Sequence, residues 1–162
     1  MDDRMFRNAM GKFATGVTII TTEVDNQPHG MTANAFMSVS LCPKLVLISI
    51  GEKARMNQYI KRSGKFAVSI LSDSQKEMSM LFAGQLKDRR NIQFKWMNDL
   101  PVIENALVNL TCNVYASYVA GDHTLYLGEV IDLYTKEGKP LSFYEGKYTT
   151  VDHLLKNEGV RV

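Results

Sequence analysis

Two short segments, Gly30-Met31-Thr32-Ala33-Asn34-Ala35-Phe36 and Gly121-Asp122-His123-Thr124, hold the residue types best suited to chemistry in this sequence. Each sets small residues beside amides, hydroxyls or an imidazole. Small side chains let a flat ligand approach the backbone, and the polar neighbours can then orient it. Neither segment has the spacing of a metal site, a phosphate loop or a nucleophile elbow. They suit a bound cofactor that brings its own reactive atoms.

Other residues extend that picture. Thr32, Asn34 and Ser38 fall at near-alternate positions on an extended segment, so their polar atoms can share one face. The same residue types also satisfy local backbone at strand ends and turns, and both readings stay open. Ser49, Lys53, Ala54 and Arg55 lie where an apolar run gives way to a helical pattern. Backbone donors at a helix start, with two cations beside them, form a seat for phosphate. A solvated basic helix start is the plain reading of the same residues. Phe82-Ala83-Gly84 reads either as a helix end or as a second place where backbone can meet a ligand. Arg89 and Arg90 read as solvated loop, and His29 and His153 as structural histidines. A Ser-His-Asp hydrolase built on Asp122 and His123 is rejected. No Gly-x-Ser-x-Gly elbow is present, and adjacent Asp and His on a tight turn are poorly placed to orient one another.

The elements that must position these residues follow from periodicity. Met5, Phe6, Ala9, Met10 and Phe13 recur at helical spacing and predict an amphipathic helix over residues 3–13. Val17 to Thr22 is β-branched and reads as a strand. A turn at Asp25-Asn26-Gln27-Pro28 leads to a returning strand, His29 to Ala35. Leu45 to Ile50 suits a strand buried on both faces. A helix from Ala54 to Ser63 is stopped by Gly64, Phe66 to Leu71 forms a strand, and Ser72 or Asp73 caps a helix carrying Met78, Leu81 and Phe82. Gly84 to Leu100 reads as loop with one short strand. Ala106 to Ala120 and Leu125 to Thr135 are two more strands about the Gly121-Asp122 turn. Hairpins with short helices between them predict a mainly β fold, an antiparallel barrel with peripheral helices, in a single domain over residues 1–162. No Gly-x-Gly-x-x-Gly follows a strand, which argues against a Rossmann dinucleotide site.

Composition excludes several classes. A net charge of +2 with dispersed Lys and Arg gives no nucleic-acid footprint. The longest apolar run, Leu45 to Ile48, is far too short to cross a bilayer, and the acidic start does not read as a secretory leader. Cys42 and Cys112 have no metal-type spacing; reduced thiols in the cytoplasm are the main reading, with a single bridge left open. A cytoplasmic protein without a metal is expected.

Taken in order, Phe13-Ala14-Thr15-Gly16-Val17-Thr18, Gly30 to Phe36, Ser38-Val39-Ser40-Leu41, Phe82-Ala83-Gly84, Gly121 to Thr124 and Gly128-Glu129-Val130 resemble the short-chain flavin reductase family, from about Arg4 to Val151. The opening residues are most similar to the reductase components of bacterial two-component phenol hydroxylases. The resemblance implies an FMN-binding split barrel, Greek-key-like with six strands, assembled as a homodimer. It implies transfer of hydride from nicotinamide C4 of NADH to N5 of FAD, or of FMN, with the reduced flavin supplied to a separate aromatic monooxygenase. It assigns Thr32, Ala33, Asn34, Ala35, Phe36, Ser38 and Val39 to the isoalloxazine, and Ser49, Lys53, Ala54, Arg55 and Met56 to the ribityl and phosphate. Phe82, Ala83 and Gly84 line the same cofactor. His123 falls on the nicotinamide side as the orienting catalytic residue, with Tyr148 beside that pocket. Many relatives place a Lys or Arg directly before Phe after the Phe-Ala-Gly motif. Here Asn91 and Ile92 follow Arg89-Arg90 instead. The rival reading is a flavin-binding electron carrier with no productive dinucleotide site.

Overall fold

A computed structural model of the protein describes residues 1–86 and 92–151. In chain order it comprises α1 (Asp3–Met10), β1 (Thr15–Gly16), β2 (Thr18–Val24), β3 (Gln27–Ala33), β4 (Phe36–Leu41), β5 (Lys44–Gly51), α2 (Arg55–Ser63) and β6 (Lys65–Ile70). A 3-10 turn (Asp73–Gln75) and α3 (Lys76–Phe82) follow, then β7 (Phe94–Met97), β8 (Leu100–Ile103), β9 (Val108–Ala120), β10 (His123–Thr135), β11 (Leu141–Tyr144) and β12 (Lys147–Thr150).

Seven strands form one antiparallel sheet in the order β3-β2-β6-β9-β10-β5-β4. Consecutive strands β3 and β4 sit at its opposite edges, yet only Asn34 and Ala35 join them. Six inter-strand steps of about 4.8 Å would hold the edges of a flat sheet about 29 Å apart. The three peptide steps from Ala33 to Phe36 reach at most about 11 Å. The sheet must therefore curl into a barrel split between β3 and β4. The barrel has seven strands rather than six, because Ser38 to Leu41 extends along β5 as a full edge strand. A core of Ile20, Val46, Ile48, Ile50, Phe66, Val68 and Tyr126 fills it, with Met56 and Ile60 of α2 packed into the same cluster.

Local chemistry explains most boundaries. Asp25 and Asn26 both take positive φ (56° and 59°), the requirement of a two-residue hairpin turn. The turn is thus shorter than predicted, and Pro28 lies inside β3, tolerated because β3 is an edge strand. The threonines buried in β2 have partners: Thr21 donates to the Pro101 carbonyl, and Thr22 donates to the Lys65 carbonyl at 2.8 Å. Gly64, at φ 68°, ends α2 as predicted. Ser72 caps the turn before α3, its side chain and that of Gln75 each bonding the other's backbone.

Three further expectations change. The first helix ends at Met10, and the Gly11 carbonyl accepts from the Glu145 amide at 2.9 Å, which draws the chain onto β11 and β12. Its apolar residues Met5, Phe6 and Met10 stay exposed within this chain. The single short strand expected between Gly84 and Leu100 is the hairpin β7–β8, whose Leu100 and Val102 pack on Ala67. A further sheet, β1-β11-β12, has no periodic signal in the sequence. Both cysteines are free, Cys42 exposed and Cys112 buried.

Candidate functional site

One end of the barrel gathers the polar segments. The end of β3, the start of β4, the end of β5 and the start of β10 meet there: Ala35 accepts from the Ser49 amide at 3.2 Å, Ser49 faces Leu125, and Gly51 faces His123. From Gly51 the chain turns directly into α2, whose N-cap is Ala54, with no side-chain cap and no acidic residue in its first turn. A cleft of about 590 Å³ opens between β3, this helix start and the end of α3. Gly30 and Met31 line it from β3, Ala54, Arg55 and Met56 from α2, and Phe82, Ala83 and Gly84 from the α3 end. The first-turn amides and the Arg55 guanidinium, which makes no ion pair among the described residues, give this cleft the character of an anion seat.

A smaller cavity of about 170 Å³ adjoins it through Ala83, which lines both. Thr32, Ala33, Asn34 and Tyr148 line this one. Asn34 also borders two cavities on the β1 side, where Phe36 lines one and Thr15 lines both. The Thr15 hydroxyl is buried without a hydrogen-bond partner. An unpaired buried hydroxyl beside Asn34 is what a polar ligand edge would satisfy. Sequence reading passed over Thr15, although it lies within the Phe13 to Thr18 motif.

The Gly121-Asp122 turn sets the histidine. Gly121 takes φ 63°, which a glycine adopts freely. Asp122 Oδ1 lies 2.7 Å from His123 Nδ1, and this contact holds the Asp122 carboxyl below its ordinary value. An ionised carboxylate only accepts, so Nδ1 carries the proton. Nε2 is left over Gly51, where a Cβ would stand 3.8 Å from it. Adjacency thus does not prevent Asp122 from orienting His123, contrary to the sequence argument; the missing Gly-x-Ser-x-Gly elbow still excludes the hydrolase.

Behind the histidine, Thr124 and Asn57 (at 3.1 Å) both donate to Glu52, and Tyr126 donates to Asn57. Asn57, Thr124 and Tyr126 are almost wholly buried. This network ties the β5–α2 corner to the start of β10. The hydrogen bond from Thr124 lowers the Glu52 pKa, and burial raises that of Tyr126.

The structure brings together Thr32, Ala33, Asn34, Phe36, Ala54, Arg55, Met56, Phe82, Ala83, Gly84 and Tyr148 along these adjoining cavities. Others stand apart. Ser49 is half-buried in the sheet, and Lys53 is an exposed residue of the corner. Ser38 and Val39 are exposed on the free edge of β4, where a bulge breaks the register. The Tyr148 hydroxyl is 2.9 Å from that of Ser79, and His123 faces Gly51 at the start of β10. The Thr32 hydroxyl donates to the Ser79 carbonyl at 2.6 Å, the local role left open by the sequence. Gly30 makes room for the Phe82 ring rather than for a ligand, since a Cβ there would lie 2.5 Å from Phe82 Cε1. Arg89, Arg90 and His153 lie outside the described residues.

Comparison with known proteins gives the family. The chain is 46% identical over 155 residues to an NADH-dependent flavin reductase of a Rhodococcus species, covering 94% of this chain and 88% of that one. Among solved structures, flavin reductase PheA2 superposes with a TM-score of 0.92 at 59% identity, covering 94% of this chain and all of its own. The NADH:FAD oxidoreductase of Streptomyces globisporus C-1027, solved with NAD and FAD fragments, superposes with a TM-score of 0.87 at 36% identity, covering 93% and 94% of the two chains. The model of the flavin reductase like domain matches residues 10–152. A model spanning most of the chain and a relative of this identity agree with the split barrel, and this chain belongs to the flavin reductase family.

Proposed function

We propose that this protein is an NADH-dependent flavin reductase, the reductase component of a two-component aromatic monooxygenase. The observation that carries the reading is the convergence, at one barrel end, of an anion-seating cleft, small residues and an oriented histidine, on a fold shared with flavin reductases. Relatives point the same way: one is the reductase component of 4-hydroxyphenylacetate 3-monooxygenase from Thermus thermophilus, 34% identical over 144 residues. A phenol-type substrate for the oxygenase rests on the resemblance of the opening residues to the reductase components of bacterial two-component phenol hydroxylases.

The residues present fit a flavin. Arg55 and the uncapped α2 start would hold its phosphate, with Lys53 and Ser49 behind them. Thr32 to Phe36, with Ser38 and Val39, would border the ring system, and the unpaired Thr15 hydroxyl beside Asn34 awaits a polar edge. Phe82, Ala83 and Gly84 would close the cleft's other wall. When bound, the flavin supplies the ring that accepts a hydride from NADH. The protein's part is to place the two reactants and hold charge steady. Asp122 fixes the direction of the His123 ring, so Nε2 is held toward the dinucleotide; the role assigned to His123 is to orient it. Backbone amides near Thr32 to Phe36 would steady negative charge as it develops. The test is His123→Ala, which should raise KM for NADH about tenfold or more and leave flavin affinity unchanged. Equal NADH kinetics would remove His123 from the site.

A homodimer is part of this proposal. Val39 and Leu41 on β4, and Tyr115, Tyr118, Ile131 and Leu133 on β9 and β10, are large apolar residues left exposed in one chain. Burying β4 against a second copy would also enclose Ser38 and Val39, which stand apart from the cleft in one chain. Sedimentation at the mass of one protomer would overturn the dimer. The oxygenase contact is transient, the chain acts as one domain, and the free thiols favour a cytoplasmic location. No helix among the described residues is long and apolar enough to cross a membrane.

A further inference from the structure

The His123 turn stands at an exposed hairpin tip, where Val119, Gly121 and Asp122 are all open to solvent. A side chain that orients a ligand from such a tip needs its backbone held from below. Glu52, which belongs to no motif read from the sequence, holds it at two points. Its amide donates to the Asp122 carbonyl at 2.9 Å, and its carboxylate oxygen Oε1 accepts from the Thr124 hydroxyl. One bond is thus on the residue before His123 and the other on the residue after it.

The same Oε1 reaches the phosphate side. Asn57 Nδ2 donates to it at 3.1 Å, and Asn57 lies in the first turn of α2, two residues after Arg55. An ionised carboxylate only accepts, so the amide turns Nδ2 toward Glu52 and leaves Oδ1 for the Tyr126 hydroxyl. Thr124, Asn57 and Tyr126 are 1%, 2% and 1% exposed, so water does not replace these partners. Glu52 makes no ion pair among the described residues, so it does not pair off the Lys53 and Arg55 cations beside it. A single oxygen therefore joins the His123 turn to the helix start that forms the anion seat.

We propose that Glu52 is a positioning residue for the reduction, its Oε1 fixing the His123 turn and the α2 start relative to each other. The dinucleotide and the flavin phosphate are then held in register by one shared acceptor. The proposal rests on the flavin-reductase reading and adds a residue that touches neither ligand.

Steady-state NADH kinetics and flavin titration test it, at a temperature where circular dichroism shows the variants folded. Glu52→Ala should raise KM for NADH about tenfold and weaken flavin binding about threefold, since two buried donors lose a charged acceptor. Glu52→Gln, whose carbonyl oxygen can accept both bonds, should bring both values within about twofold of the wild type. Thr124→Val keeps the branched shape and should reproduce the NADH effect alone, which preserves the test should Glu52→Ala not fold. In a His123→Ala background, Glu52→Ala should add nothing to KM for NADH but still weaken flavin, because the first effect acts through the histidine and the second through α2. Three results would each overturn the proposal: unaltered KM in Glu52→Ala and Thr124→Val, full multiplication of the two KM effects in the double variant, or Glu52→Gln as impaired as Glu52→Ala. Failure of the underlying reading looks different: the wild type itself would not oxidise NADH in the presence of flavin.

Discussion

Gly30→Ala isolates one contact on which both the fold and the cleft depend. Gly30 has no unusual backbone conformation, so an alanine there is allowed by φ and ψ. With free space beside it, that change would stabilise the protein by about 0.4–1 kcal/mol. The space is not free. A Cβ would stand 2.5 Å from Phe82 Cε1 and 2.8 Å from Cδ1, against an ordinary contact of about 3.5–4.0 Å. The ring is 6% exposed and meets Phe94 edge-on at 6.0 Å, so it must move about 1 Å into a packed neighbour or into the cleft it lines. Overpacking of this kind costs about 1–3 kcal/mol. For a chain of this length, a cost of about 2 kcal/mol lowers Tm by about 4–8 °C. Thermal unfolding should show that fall, and flavin titration should show weaker binding at temperatures where the variant is folded. In a Phe82→Leu background the same change should cost at least about 1 kcal/mol less, since the clashing ring atoms are gone. A Gly30→Ala variant as stable as wild type, or more so, would refute the reasoning.

The thiols should separate cleanly. Burial pushes the Cys112 pKa up to about 12, whereas Cys42 is exposed, so a thiol reagent at pH 8 should label only Cys42 until the chain unfolds. Rapid labelling of Cys112 in the folded state would contradict its burial. Glu52 should contribute to acid sensitivity. Thr124 donates to its carboxylate and holds its pKa below the ordinary 4.5; a depressed carboxyl stabilises the fold above that value and loses its contribution as pH falls through the folded pKa. Tm should therefore drop on acidification below about pH 4.5, and Glu52→Gln should flatten that part of the curve. An identical acid limb in the variant would show the contact to be energetically idle.

Strong local signals carried much of this molecule in the sequence. The β-branched run of β2, the buried stretch of β5 and the Gly64 stop each sit where local propensity and tertiary role agree. The polar segments at Asn34 and His123 were legible for a similar reason: small and polar residues break the apolar patterns around them. The misses have physical causes. β11 and β12 are four residues each, too short to show alternation, and the pairing of β11 with β1 spans more than a hundred residues of chain. Gly30 read as ligand space because a sequence does not show that Phe82 fills it. His29 and Tyr59 are thirty residues apart, and only the packing of α2 beside β3 stacks them. Asp122 reaches His123 because the Gly121 turn, at positive φ, folds one side chain back on the next.

The central claim is that this barrel end holds a flavin where NADH can reduce it. Anaerobic addition of NADH to the purified protein carrying stoichiometric flavin tests that claim most directly. The account predicts rapid bleaching of the visible flavin absorbance, one NADH consumed per flavin, much faster than free flavin under the same conditions. A spectrum that bleaches no faster than free flavin, or a flavin that the folded protein never binds, would contradict it.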